Sequence, residues 1–321
     1  MSAQDDAQAT PGESSNKDHD EDAARSSIEV PAPAPTKTPM YQAFQAARYQ
    51  RQELIKQIQE RTRRRLICYV AGIRTLIDRD DTLGFMDLLH NVVAGHNIDL
   101  LLHTGGGDID AAEKLISMVH NRVGDAELRV IVPDFAKSAG TLMAIGADKI
   151  LMSDTSELGP IDPQIVLRDD HGNYITHSVQ SYLDAYYSHC EALRNDPSDA
   201  VARVMLGNLN PATVKLFEAW RDRAKKFAEE QLRLGMFRRS SGLFTKIAAE
   251  LTDTKTWLSH GQPIGWQTAS NMGLIIEFVD PASEEWQSYW QLYCLQRLAV
   301  GDRQKLFESD YASLSLDGST S

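Results

Sequence analysis

A single serine, Ser138, stands in the run VIVPDFAKSAGTLMAIGADKIL (130–151), between residues that read as a strand and residues that read as a helix. At such a junction the first N–H groups of the helix lack a partner and sit at the positive end of its dipole, which favours an anion. A hydroxyl placed there can attack a carbonyl while nearby N–H groups receive the oxyanion that forms. Serine is also a common N-cap, and on this segment alone the cap is the simpler reading. The second feature is HTGGGDIDAAEKLI (103–116), three glycines between a strand and a helix, which let a substrate approach the main chain closely. A phosphate-binding loop competes, but Asp110 occupies the place of the last glycine in GxGxxG and no Walker lysine follows.

These residues need a scaffold. Candidate strands are LICYVA (66–71), IDLLLHT (98–104), LRVIVPDF (128–135), KILMS (149–153) and LIIEFV (274–279). The first four are separated by amphipathic stretches, 83–93, 108–122 and 138–147, with apolar residues at helical spacing. Strand and helix in alternation predict an α/β fold with a mainly parallel sheet covered by helices. From 174 to 250 the pattern is helix after helix, with Asn210 as cap and Pro211 in the first turn of one of them.

Residues 1–40 are rich in Asp, Glu, Ser, Ala and Pro and read as a disordered tail. Residues 41–65 read as a basic amphipathic helix closing on RTRRR, whose blander interpretation is a solvated helix end and whose alternative is contact with nucleic acid or a membrane surface. The main domain is expected over 66–280, including the helical insertion at 174–250, followed by a C-terminal helix at 281–310 and a disordered tail at 311–321. The net charge of -12 disfavours nucleic acid as a main partner. Cys68, Cys190 and Cys294 form no paired-spacing motif, so neither a zinc site nor a disulfide framework is suggested. With no membrane span or leader pattern evident, a cytoplasmic protein is expected.

The ordered motifs HTGGG, AKSAGT, ADKILMSDTSELGPIDPQ and WLSHGQPIGWQTASNMGL together resemble the Clp/crotonase superfamily, and within it the serine dehydrogenase proteinase family, related to Clp protease and signal peptide peptidase A. The resemblance spans about 66–279. It implies a Clp/crotonase-like sheet of repeated β-β-α and βαβ units with flanking helices. It also implies a serine endopeptidase acting on peptide or protein substrates, needing no metal or organic cofactor, and usually a homo-oligomer. Its nucleophile falls on Ser138, and its oxyanion donors on the backbone N–H groups of Gly106 or Gly107 and of Ala139. Gly105 stands where the family usually has proline.

A serine needs a base to take its proton. The histidine that Clp protease carries after its serine has no counterpart in SELGPIDPQ, and the resemblance instead implies His260 of WLSHGQPI, in the chain order serine, aspartate, histidine. Gly261 replaces the aspartate usual after that histidine, so Asp162 and Asp253 are both candidates for the acid. Asp162 is as well explained as a turn residue before Pro163. Lysine serves as the base in some relatives, which makes Lys246, Lys255 and His177 alternatives. Two other functions stay open: a crotonase-type enzyme acting on a coenzyme A thioester, and a degenerate scaffold without activity.

Overall fold

The computed structural model describes residues 37–168, 172–240, 242–253, 256, 257 and 259–318. Two helices, α1 (Pro39–Phe44) and α2 (Ala46–Thr62), precede β1 (Arg65–Ala71), α3 (Asp81–Leu89), β2 (Ile98–His103), α4 (Ile109–Val123) and β3 (Leu128–Ile131). Next come β4 (Phe135–Ala136), α5 (Ala139–Ile145), β5 (Lys149–Met152) and β6 (Glu157–Leu158), then the hairpin β7 (Gln164–Arg168) and β8 (Tyr174–Ser178). The helices α6 (Val179–Asn195), α7 (Ala200–Gly207), α8 (Pro211–Leu234), α9 (Phe244–Leu251) and α10 (Trp266–Met272) lead to β9 (Ile276–Phe278), α11 (Glu284–Ala299), β10 (Gln304–Glu308) and β11 (Ser313–Asp317).

The main sheet has the order β11-β10-β1-β2-β3-β5-β9, parallel from β1 to β9 and antiparallel at β10 and β11. Its parallel strands are apolar runs because both faces are covered. Along β1, Ile67, Tyr69 and Ala71 face one core with α3, α4, α5 and α8, while Leu66, Cys68 and Val70 face another. The second core is closed by Ile55 and Ile58 of α2 and by Trp286, Tyr289 and Leu292 of α11. This is the period-two division expected of a strand buried on both sides.

Arg61 and Arg63, at the end of α2, are exposed, as a solvated helix end would have them, but much of the basic segment is part of this architecture. Arg51 pairs with buried Glu308 at 2.8 Å, Arg61 with Glu284 at 3.0 Å, and Arg65 with Asp310 at 3.3 Å. Arg64 binds Asp99 and Glu127 and is itself buried. Most of its positive charge is therefore spent within the fold.

Several boundaries differ from expectation. The tail predicted over 1–40 lies outside the described residues except for its end, where α1 already begins at Pro39, capped by the Thr38 hydroxyl. The run predicted as one strand over 128–135 breaks, because Pro133 cannot donate to a ladder, and the chain leaves the main sheet to form β4. The insertion at 174–250 opens on β8, which pairs antiparallel with β7. The C-terminal helix ends at Ala299, not 310, and residues predicted as a disordered tail form β11, which pairs with β10 over five residue pairs. Asn210 does cap α8, with Pro211 in its first turn.

Candidate active site

A smaller layer beside the main sheet brings the motifs together. Thr104 is bridged in parallel to Ala136, β4 pairs in parallel with β6, and Leu158 is bridged antiparallel to Ile264. Ser138 lies two residues beyond Ala136, Asp162 four beyond Leu158, and the glycine turn directly follows Thr104. His260 lies four residues before Ile264, and the antiparallel sense of that bridge sends it to the same end. Neighbouring strands are about 4.8 Å apart, so four short strand segments deliver serine, glycine turn, aspartate and histidine to one edge.

Ser138 has φ 51° and ψ -115°, one of two described non-glycine residues with positive φ. Such a conformation costs on the order of 1–3 kcal/mol and persists only where the surroundings impose it. The imposing contacts are the Lys137 N–H donating to the Thr104 carbonyl at 3.0 Å and the Gly140 N–H to the Lys137 carbonyl at 2.7 Å. The Ser138 hydroxyl makes no capping bond to α5. The cap, the simpler interpretation of the segment by itself, is therefore not what this serine does. The neighbouring Lys137 ammonium is held by Glu157 at 2.6 Å and the Leu158 carbonyl at 3.1 Å, which anchors β4 to β6.

The glycine turn is pressed against the serine. A Cβ on Gly106, at φ +103°, would lie 2.8 Å from both the Lys137 carbonyl oxygen and Ser138 Cβ. The Gly106 N–H is occupied by the Thr104 hydroxyl at 3.2 Å. Gly107 is bridged in parallel to Ile77: the Ile77 N–H donates to the Gly106 carbonyl at 2.7 Å and the Asp108 N–H to the Ile77 carbonyl at 2.9 Å. In that pattern the flanking groups make the bonds, and the Gly107 N–H points to the other side. Of the two glycines read from sequence, Gly107 is thus the one whose N–H is left available, together with that of Ala139 at the first helical position.

His260 Nδ1 is bonded to Asp162 Oδ1. Asp162 is 5 % exposed, and its second oxygen accepts from Gln164 Nε2 at 2.6 Å. A carboxylate only accepts, so Nδ1 carries the hydrogen of this bond, and in the neutral ring Nε2 is the nitrogen with the lone pair. The imidazole itself is about one-third exposed, its side chain having a relative accessibility of 32%. Asp253 instead accepts from the Thr256 hydroxyl at 2.8 Å in the turn after α9. His177 is exposed on β8 opposite Ile165, and Lys246 is exposed on α9, lining with Asp253 an open groove of ≈ 640 Å³ between α6, α8 and α9. Lys255 lies outside the described residues.

Two features escaped the sequence. The buried Thr141 hydroxyl lies 2.8 Å from the Ala136 carbonyl and 2.9 Å from the Gly159 carbonyl, and accepts the Gly159 N–H at 3.0 Å, tying α5 to the GPID turn. Asp134, just before β4, accepts from the Tyr293 hydroxyl at 2.6 Å and faces His103 Nε2 at 3.5 Å. Burial pushes its carboxyl up, but the neighbouring His103 ring and the hydrogen bond from Tyr293 outweigh burial and hold it below the ordinary aspartate value. The spacing S-A-G-T was a signal for Thr141; nothing local announced the Asp134 contacts, whose partners lie 31 and 159 residues away. Among the described residues no group of three or more His, Cys, Asp and Glu is placed to hold a metal, and no helix is long and apolar enough to cross a membrane.

Residues 38–183 match the sequence model of a family described as ClpP-like SDH-type serine proteinase. Two uncharacterized proteins of Methanocaldococcus jannaschii are similar. One is 48% identical over 68 residues, covering 21% of this chain and 23% of the relative; the other is 36% identical over 99 residues, covering 31% and 30%. The chain thus spans less than a third of the length of the curated relatives it matches. Among solved structures, similarity extends to a variant of the 1510-N membrane-bound stomatin-specific protease (TM-score 0.40, 16% identity, 67% of this chain and 80% of that one). It extends also to ClpP1 from Listeria monocytogenes (TM-score 0.37, 11% identity, 71% and 95%).

Proposed function

We propose, for a chain whose residues 38–183 match the model of the ClpP-like SDH-type serine proteinase family, that it is a serine endopeptidase with Ser138 as nucleophile, His260 as general base and Asp162 as the orienting acid. The observation that carries this reading is the bond from His260 Nδ1 to buried Asp162 at the same edge as strained, uncapped Ser138.

The proposed steps are those of a serine, histidine and aspartate acting in sequence. Ser138 Oγ attacks the peptide carbonyl and His260 Nε2 takes the hydroxyl proton. Asp162, fixed by Gln164, holds the ring in the tautomer that can accept it and stabilises the imidazolium. The N–H groups of Gly107 and Ala139 receive the oxyanion. His260 then returns the proton to the leaving amine, and water, deprotonated by the same ring, releases the acyl group. Lys246, exposed in a charged groove, and His177, exposed on β8, have no part in this scheme.

Exposed Val166, Tyr174 and Ile175 on the β7–β8 hairpin and Val201 and Val204 on α7 offer apolar surface for a homo-oligomer. The activity test is hydrolysis of a fluorogenic peptide library and of unfolded casein by the purified chain. Turnover lost in both Ser138→Ala and His260→Ala supports the proposal. Equal turnover in wild type and Ser138→Ala contradicts it, and binding of coenzyme A with thioester turnover redirects the reading to a crotonase-type reaction.

A further inference from the structure

The glycine turn is held from outside the small layer. Gly107 rests on Ile77 so closely that a Cβ on it would lie 2.4 Å from the Ile77 nitrogen and oxygen. Ile77 belongs to the loop between β1 and α3, and the C-terminal hairpin grips that loop: the Gly72 N–H donates to the Gln304 carbonyl and the Arg74 N–H to the Asp302 carbonyl, both at 2.8 Å. The remaining grip is ionic. Lys305 of β10, 1 % exposed, reaches Asp78 and Asp81 at 2.7 Å each. Asp81 accepts in addition from the Tyr69 hydroxyl at 2.9 Å and from the Asp78 N–H at 3.0 Å.

Burying an ammonium with carboxylates is an inefficient way to gain stability, because each ion must be desolvated and well-packed apolar residues of the same volume do as well. What ions and their hydrogen bonds supply is direction. Asp78 is the residue after Ile77, so a lysine fixed in the sheet sets the position of the Ile77 backbone through one peptide unit. Ile77 in turn sets the Gly106 carbonyl and the orientation of Gly107.

We infer that Lys305 is a positioning residue for the Ser138 reaction: through Asp78 and Asp81 it locks Ile77 against the glycine turn and so aims the Gly107 N–H. This rests on the serine peptidase reading, in which that N–H receives the oxyanion. The C-terminal hairpin then serves the site although none of its residues reaches it. No bond is made or broken by Lys305.

The test uses the full-length chain and its Lys305→Met and Asp78→Asn variants, with kcat and KM on a fluorogenic peptide, the rate of labelling by a fluorophosphonate, and thermal unfolding. Asp78 is the safer change, since its side chain is 24% exposed. The expected result is a fall in kcat and labelling rate of about tenfold or more, with KM within about twofold, in protein that still unfolds cooperatively; a misplacement of about 1 Å costs on the order of 10²-fold. If Lys305→Met does not fold, Asp78→Asn decides. Folded Asp78→Asn with wild-type kcat and labelling rate overturns the inference while leaving the peptidase reading intact. A wild type that is neither labelled nor active overturns both.

Discussion

Replacing Gly106 by alanine adds one methyl group where the glycine turn meets the serine. The new Cβ would stand 2.8 Å from Ser138 Cβ and from the Lys137 carbonyl oxygen, whereas ordinary contact begins at 3.4 Å, so turn and serine must separate by about 0.6 Å. The φ of +103° adds backbone strain that an L side chain meets and glycine does not. An oxyanion donor works at roughly 2.7–3.1 Å, so a retreat of that size takes the Gly107 N–H out of effective range. A misplacement of about 1 Å costs on the order of 10²-fold, so a shift of about 0.6 Å is expected to lower kcat by roughly tenfold or more, and the methyl group has no path to relieve the contact because both obstructing groups are main chain or next to it. Stopped-time labelling with a fluorophosphonate, followed by in-gel fluorescence, reads the acylation rate directly, and circular dichroism against temperature checks folding. Wild-type labelling by folded Gly106→Ala would refute the claim that this turn forms the oxyanion site.

Other outcomes follow from the same contacts. Asp162→Asn, which favours the wrong tautomer of His260, lowers kcat by roughly 10²–10⁴, whereas Asp253→Asn stays within about twofold of wild type; steady-state peptide hydrolysis by the two variants separates the candidates for the acid. Thr141→Val leaves the Gly159 N–H unpaired in a buried turn, and urea unfolding is expected to show a loss of about 1–3 kcal/mol. Asp134 has its native carboxyl below the ordinary value, so its stabilisation is complete above the unfolded pKa of about 4 and is lost as pH falls through the lower native value. Urea midpoints measured from pH 6 to pH 3 should therefore fall less steeply in Asp134→Asn than in wild type, and equal slopes would remove Asp134 from the acid response.

The residues that act at short range were legible. Apolar runs such as LICYVA announce buried parallel strands, and HTGGG and AKSAGT mark turns whose glycines and serine have few structural substitutes. What stayed hidden depends on pairing across long separations. Asp162 and Asp253 were indistinguishable because each precedes His260 in sequence, and only the antiparallel bridge between Leu158 and Ile264 brings the GPID turn beside the histidine. The short polar run SLSLD looked like a tail, yet it is an edge strand whose neighbour β10 supplies the partners it needs. Likewise RTRRR resembled a solvated or ligand-binding cluster, since the carboxylates that neutralise it, Asp99, Glu127, Glu284 and Asp310, come from four distant places. Lys305 gave no signal at all: a lone lysine near a C-terminus is ordinarily exposed.

The central claim is that the Ser138 hydroxyl is an activated nucleophile, and covalent capture tests it without assuming a substrate. The purified full-length chain, treated with a fluorophosphonate and examined by intact-mass spectrometry and peptide mapping, is predicted to gain one adduct, located on Ser138. That adduct should be absent from Ser138→Ala and formed at least about 10²-fold more slowly in His260→Ala. A wild-type protein that remains unmodified, or one modified equally in Ser138→Ala, would contradict the account.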